Sequence, residues 1–188
     1  IPFYYSIIIA VVVSFFVGAA IGFPILRLTG MYLAIATLAF GFIAEHVFIK
    51  WEHFTGGNRG MPVPQPEIMG MSFYDSATFY YVCLAFLILS MFAAINILRS
   101  PTGRAFVAIR DSEIAAQSLG VNLGLYKALS FAISGAFTGL AGALLAHYIG
   151  YLAPDIFNIF LSLILLLLIV VGGMGSLHGT VFGAIFVG

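Results

Sequence analysis

Apolar residues run without a charge from Tyr5 to Leu26, about 22 residues, enough as a helix to cross a hydrocarbon layer of about 30 Å. A tight polar turn follows over Arg27 to Gly30, and a second apolar span runs from Met31 to Ile49 with Glu45 and His46 in its last turns. Lys50 to Ala77 reads as a long loop, rich in Gly and Pro and holding Trp51, Glu52, His53, Arg59, Glu67 and Asp75. Thr78 to Leu98 forms a third span, with Tyr80 and Tyr81 at interfacial depth, and Leu125 to Ile149 forms a fourth. Pro154 and Asp155, the latter a helix N-cap, open a further run from Ile156 to Val171 of about 16 residues, slightly short of a full crossing. Leu177 to Gly188 is shorter still. The pattern predicts an all-α, polytopic transmembrane helical bundle of five to six membrane segments.

One sustained polar stretch interrupts these spans, Arg99 to Leu123, RSPTGRAFVAIRDSEIAAQSLGVNL. Ser100 before Pro101 fits an N-cap with proline at the first helical position, where its missing N–H is harmless. Asp111 is placed to cap a second short helix, with Glu113 in its first turn favoured by the helix dipole. Gly120 suits the left-handed position past that helix, with Val121 folding back on the last turn. Phe106, Ile109, Ile114 and Leu119 supply apolar contacts. Two short helices with a bend near Arg110 and Asp111 are therefore predicted, either as a docking element for a partner protein or as an ordinary amphipathic loop in the lipid interface.

Composition sharpens the class. The chain is 62% hydrophobic and only 7% charged, with a mean hydropathy of +1.14, so it could not cover a soluble surface with polar groups. Net charge is zero, which gives no basic surface for nucleic acid. Cys83 is the single cysteine and lies in an apolar run, so no disulfide framework or cysteine metal cluster is built. The chain starts at Ile1 and stops within an apolar run at Gly188, which reads as a fragment of a longer protein, a single domain over 1–188 truncated at both ends, with no cleavable signal peptide evident.

Small residues mark contacts between spans. Gly18 and Gly22 form one close-packing face, and Gly135, Gly139 and Ala143 recur every fourth residue, with Gly142 and Ala146 on a neighbouring line. GGMGS carries Gly172, Gly173 and Gly175, and Gly175, Gly179 and Gly183 continue as a further small-residue stripe. The GGMGSLHG stretch lacks the lysine of a phosphate-binding loop and does not follow a soluble strand, which argues against nucleotide binding. It reads as a backbone break, lining or bracing a pathway within the membrane, or as a plain turn between two spans. AISG, with Ser134, imitates an intramembrane serine protease motif, but His147 lies about three turns away on the same helix; Ser134 is read as a small residue at a helix contact. Glu45 with His46, and Glu52 with His53, sit where they can snorkel to water, so interfacial solvation is preferred to a metal site or proton relay.

SPTGRAFVAIRDSEIAAQSLGVN resembles the coupling segment in the membrane subunits of branched-chain amino-acid ABC importers of the LivM type. The resemblance continues through YKALSFAISGAFTGLAGALLAHYIGYLAPDIF and VVGGMGSLHGTVFGA, and upstream through GMYLAIATLAFGFIAEHV and FTGGNRGM, covering Arg27 to Gly188. One departure is that Phe42 follows TLAFG where family members often carry an acid; Glu45 stands three positions later. The resemblance implies a non-enzymatic permease in a bacterial or archaeal plasma or inner membrane, with no cofactor. Its partners would be cytoplasmic ATP-binding subunits, a second permease subunit, identical or not, and a periplasmic or extracellular solute-binding protein. Residues 99–124 would be the cytoplasmic coupling segment, with Arg110, Asp111, Glu113, Ile114, Leu119 and Gly120 contacting the ATPase. Residues 50–77 would be external. That orientation puts Arg27, Arg99, Arg104, Arg110 and Lys127 inside and only Lys50 and Arg59 outside, in line with the positive-inside rule. Related urea and short-chain amide importers share these motifs. A self-sufficient secondary transporter or channel would call for charged residues in mid-span to bind a coupling ion, and none is present.

Overall fold

A computed structural model describes residues 3–25, 31–64, 67–68, 71–72, 76–157, 159–173 and 175–187. The turn expected over Arg27 to Gly30, and Asp75, lie outside the described residues, as does the side chain of Asp155. In chain order the elements are α1 (Phe3–Ile25), α2 (Met31–Lys50), α3 (Glu52–Thr55), β1 (Met61–Pro62), β2 (Glu67–Ile68), β3 (Met71–Ser72), α4 (Ser76–Arg99), α5 (Pro101–Asp111), α6 (Glu113–Ser118), α7 (Leu123–Ile149), β4 (Tyr151–Leu152), α8 (Ile159–Gly172) and α9 (Leu177–Val187). The fold is all-α, as the apolar pattern requires. Helices α1, α2, α4 and α7 are each long and apolar enough to cross a membrane, and α8 with α9 makes a fifth candidate span if the bent pair is one crossing. The four strands are two-residue pairings, β1 antiparallel to β4 and β2 antiparallel to β3.

The chain divides into two compact units. The first comprises residues 1–34 and 63–150, and its axis is the antiparallel packing of α1 on α7. Small residues decide where the two helices touch. A side chain added at Gly18 would strike the backbone of Phe131 and Ala132, one at Gly135 the backbone of Ser14, and one at Gly139 both Ser14 and the Ala10 carbonyl. Such close approach is how helices gain packing energy in lipid, where burial from water is not available. Gly142, on the neighbouring line, is not part of this contact: an added Cβ there would meet nothing within 4 Å. Beyond the glycine contacts, Phe3 and Ile7 of α1 pack with Phe79 of α4, and Leu140, Ala143 and Leu144 of α7 lie against them.

His147 belongs to the same end of this unit. Its Nδ1 donates to the Ala143 carbonyl at 2.8 Å, and its Nε2 lies 3.3 Å from the Ser6 hydroxyl oxygen. Phe3 meets the ring edge-on at 4.9 Å. The histidine thus joins α1 to α7, and Ser134 is exposed instead of sitting at a helix contact, because the glycine line at 135 and 139 takes the face toward α1.

The second unit comprises residues 35–62 and 151–188. Here α8 and α9 bend on each other by 117°. Gly173 and Gly175 stand at φ 95° and 102°, backbone conformations that side chains with a Cβ avoid. Gly172 and Gly179 meet backbone to backbone, and Gly183 lies against Leu168 and Gly172. At 14 and 11 residues the two helices are about 21 and 16 Å long, each short of a full crossing.

Candidate functional site

The polar segment forms a braced element at one end of α4 and α7. Ser100 is the N-cap of α5, its hydroxyl accepting from Gly103 N–H at 3.3 Å and donating to the Ile97 carbonyl at 2.6 Å. Pro101 holds the first helical position. Gly103 is buried, and a Cβ there would overlap the carbonyls of Ile97 and Leu98; the absence of a side chain lets α5 turn directly off the end of α4. Phe106 packs edge-on against Tyr126 of α7, ring centroids 6.2 Å apart.

The second helix is capped at both ends. Ser112, extended at φ −161° and ψ 112°, accepts from Ala115 N–H at 3.2 Å. Asp111 is therefore not the cap that was expected. It is the last residue of α5, and its carboxylate takes the Arg110 guanidinium at 3.3 Å, both exposed. The bend falls one residue later than the sequence indicated. At the far end Gly120 takes φ 82°, its N–H donates to the Gln117 carbonyl, and Val121 N–H donates to the Ala116 carbonyl, both at 3.0 Å. This pair of bonds is the Schellman closure. Asn122 then caps α7, accepting from Leu125 N–H at 3.2 Å.

Two contacts fasten α6 to its neighbours. Ala116 is only 1% exposed, and Glu113 forms a 2.7 Å ion pair with Lys127 in α7. The outward side is apolar: Ile114 and Leu119 are 81% and 82% exposed. Ser112, Lys127 and Gly103 were not singled out by the sequence. Ser112 is adjacent to an equally good capping type, and Glu113 and Lys127 are brought together by a turn that leaves no periodic signal.

Glu45 and His46 do not share a site. His46 Nδ1 donates to the Phe42 carbonyl at 3.2 Å and lies on a groove with Lys50 and Trp51, while Glu45 lines a different cavity. Among the described residues no three His, Cys, Asp or Glu side chains gather as a metal site.

Long apolar helices, exposed aliphatic surface and a rigid polar element at one end define a multi-pass membrane protein. Residues 1–188 match the family described as branched-chain amino acid transport system / permease component, and the chain belongs to that family. It is 36% identical over 201 residues to the high-affinity branched-chain amino acid transport system permease protein LivM of Salmonella typhimurium, covering 94% of this chain and 47% of that protein. It is 38% identical over 192 residues to LivM of Escherichia coli, covering 89% of this chain and 45% of that protein. The autoinducer 2 import system permease protein LsrC of Salmonella typhi is 26% identical over 184 residues, 96% of this chain and 50% of that protein. The chain spans about half the length of these curated relatives. No solved structure matches it.

Proposed function

We propose that this chain forms part of the solute pathway of an ATP-driven importer for branched-chain amino acids, and that α5 and α6 seat in a cleft of a cytoplasmic ATP-binding subunit. The observation that carries the reading is the exposure of Ile114 and Leu119 on a helix fixed at both ends and fastened to α7. A helix held in that way passes a push from its outer face into the membrane span, where a loose loop would absorb it. Arg110, Asp111 and Glu113 would set the register at the polar edge, and Gly120 would hold the closing turn.

In this reading ATP hydrolysis takes place in the partner, and the chain itself is not an enzyme. The exposed apolar sides of the spans face lipid and a second permease subunit. Residues 50–77 face outward toward a solute-binding protein, and the break at Gly172, Gly173 and Gly175 lines or braces the pathway. The membrane is the plasma or inner membrane of a bacterium or archaeon. The substrate class follows the LivM relatives, whose similarity to this chain exceeds that of the autoinducer 2 permeases. The test is ATP-dependent uptake by the complete importer in proteoliposomes, with labelled leucine, isoleucine, valine, urea, a short-chain amide and autoinducer 2. Accumulation of the three amino acids is expected; accumulation of only one of the other solutes would replace the substrate class.

A further inference from the structure

The second unit lines a half-open cavity of about 540 Å³ at the end of α2 from which α3 leaves. Its walls are apolar, with Phe48 of α2, Met61 of β1, Leu152 of β4 and Phe157 among them, and Glu45 is the ionisable residue that reaches it. The same carboxylate borders a smaller adjoining space of about 100 Å³ beside Phe157 and Ser162. Glu45 is half-buried and makes no hydrogen bond or ion pair with any described residue. The hydroxyl of Thr55, also in the wall, is already engaged: it donates toward the Phe48 and Trp51 carbonyls at 2.6 and 2.9 Å and accepts from Gly57 N–H at 3.2 Å. The wall therefore offers one carboxyl group that has no partner among the described residues.

A carboxylate left in such a place is unfavourable unless water or a cation meets it. Charge-assisted hydrogen bonds from an ammonium group to a carboxylate are among the stronger polar contacts. The geometry points to a transient binding site for a small amino acid with an aliphatic side chain, its ammonium group on Glu45 and its side chain against Phe48, Met61, Leu152 and Phe157. This deepens the reading of the chain as an amino-acid importer and rests on it. The ligand's own carboxylate stays with water, since no basic side chain lines the cavity among the described residues. Holding the solute by one charged contact and apolar walls gives an affinity weak enough to release it onward, as conduction through a pathway demands.

Gly41 provides an independent probe. It lies in the cavity wall, and a Cβ placed on it meets nothing within 4 Å, so a larger side chain can enter the space without displacing backbone. The experiment uses the complete importer in nanodiscs without its binding protein and measures bound labelled leucine. The competitors are 3-methylbutylamine, which lacks the carboxylate, and 4-methylpentanoate, which lacks the ammonium group. The amine should compete and the acid should not. Glu45→Gln should weaken leucine binding by about tenfold or more, the scale of one charge-assisted hydrogen bond, Glu45→Asp should retain part of it, and Gly41→Leu should abolish it. Recovery of the assembled complex through a tag on the permease checks folding of each variant. Equal competition by the acid, unchanged binding in Glu45→Gln, or unchanged binding in Gly41→Leu overturns the site. Failure of the broader reading looks different: the wild-type complex then takes up no branched-chain amino acid even with its binding protein present.

Discussion

Gly173 shows how much one residue can fix. At φ 95° it stands in the region where a β-branched side chain is strained, and Gly173→Val is expected to cost about 1–3 kcal/mol where that backbone must be kept. Uptake by the complete importer should fall while membrane insertion and complex recovery stay near wild type; normal uptake would make the break a simple turn. Single positions also show where sequence reasoning reached its limit. Ser100, Pro101 and Gly120 were legible because each is a type with one favoured role at a helix end. The second cap was misplaced by one residue because Asp111 and Ser112 are both good caps. What decides between them is where α5 stops, with Ser112 extended and its N–H still bonded to the Ala108 carbonyl. Glu45 was readable as an acid near a span's end, but its apolar surroundings come from Met61, Leu152 and Phe157, distant in sequence.

At the scale of elements, the spans were legible almost to the residue because hydropathy alone sets them, and α1, α2, α4 and α7 differ from their expected limits by only a residue or two at each end. Partner choice among the spans was less so. The small-residue faces at Gly18 and Gly22 and at Gly135 and Gly139 were visible, but their pairing across α1 and α7 needed coordinates. Gly142, on the neighbouring line, faces open space instead. Gly139→Leu should force α1 and α7 apart where Ser14 and Ala10 now touch the bare backbone. Overpacking of this kind typically costs about 1–3 kcal/mol. It should appear as a lower melting temperature of the purified complex, whereas Gly142→Leu should leave melting near wild type. Equal effects of the two would remove the distinction.

For the whole molecule the testable feature is sidedness. Residues 51–64 precede α4 in the chain and α5 and α6 follow it, and both offer exposed positions, Arg59 and Ile114. In a background lacking Cys83, Arg59→Cys should react with a membrane-impermeant thiol reagent on cells stripped of any outer barrier. Ile114→Cys should react only after lysis, and less when the ATP-binding subunit is bound. The opposite order would invert the topology.

The most direct test of the coupling account is Leu119→Asp in the full complex, compared with Glu113→Gln. Covering Ile114 and Leu119 removes two large aliphatic side chains from water, about 3–5 kcal/mol before association costs. The Glu113–Lys127 pair is partly solvated, with side chains 45% and 22% exposed, and a pair of that kind is worth about 1 kcal/mol or less. Complexes are purified through a tag on the permease and assayed for retained ATP-binding subunit and for ATP hydrolysis stimulated by loaded binding protein. Leu119→Asp should lose most of both, and Glu113→Gln should keep most of both. Wild-type retention and stimulation with Leu119→Asp would contradict the docking of α6 and the mechanical role assigned to it.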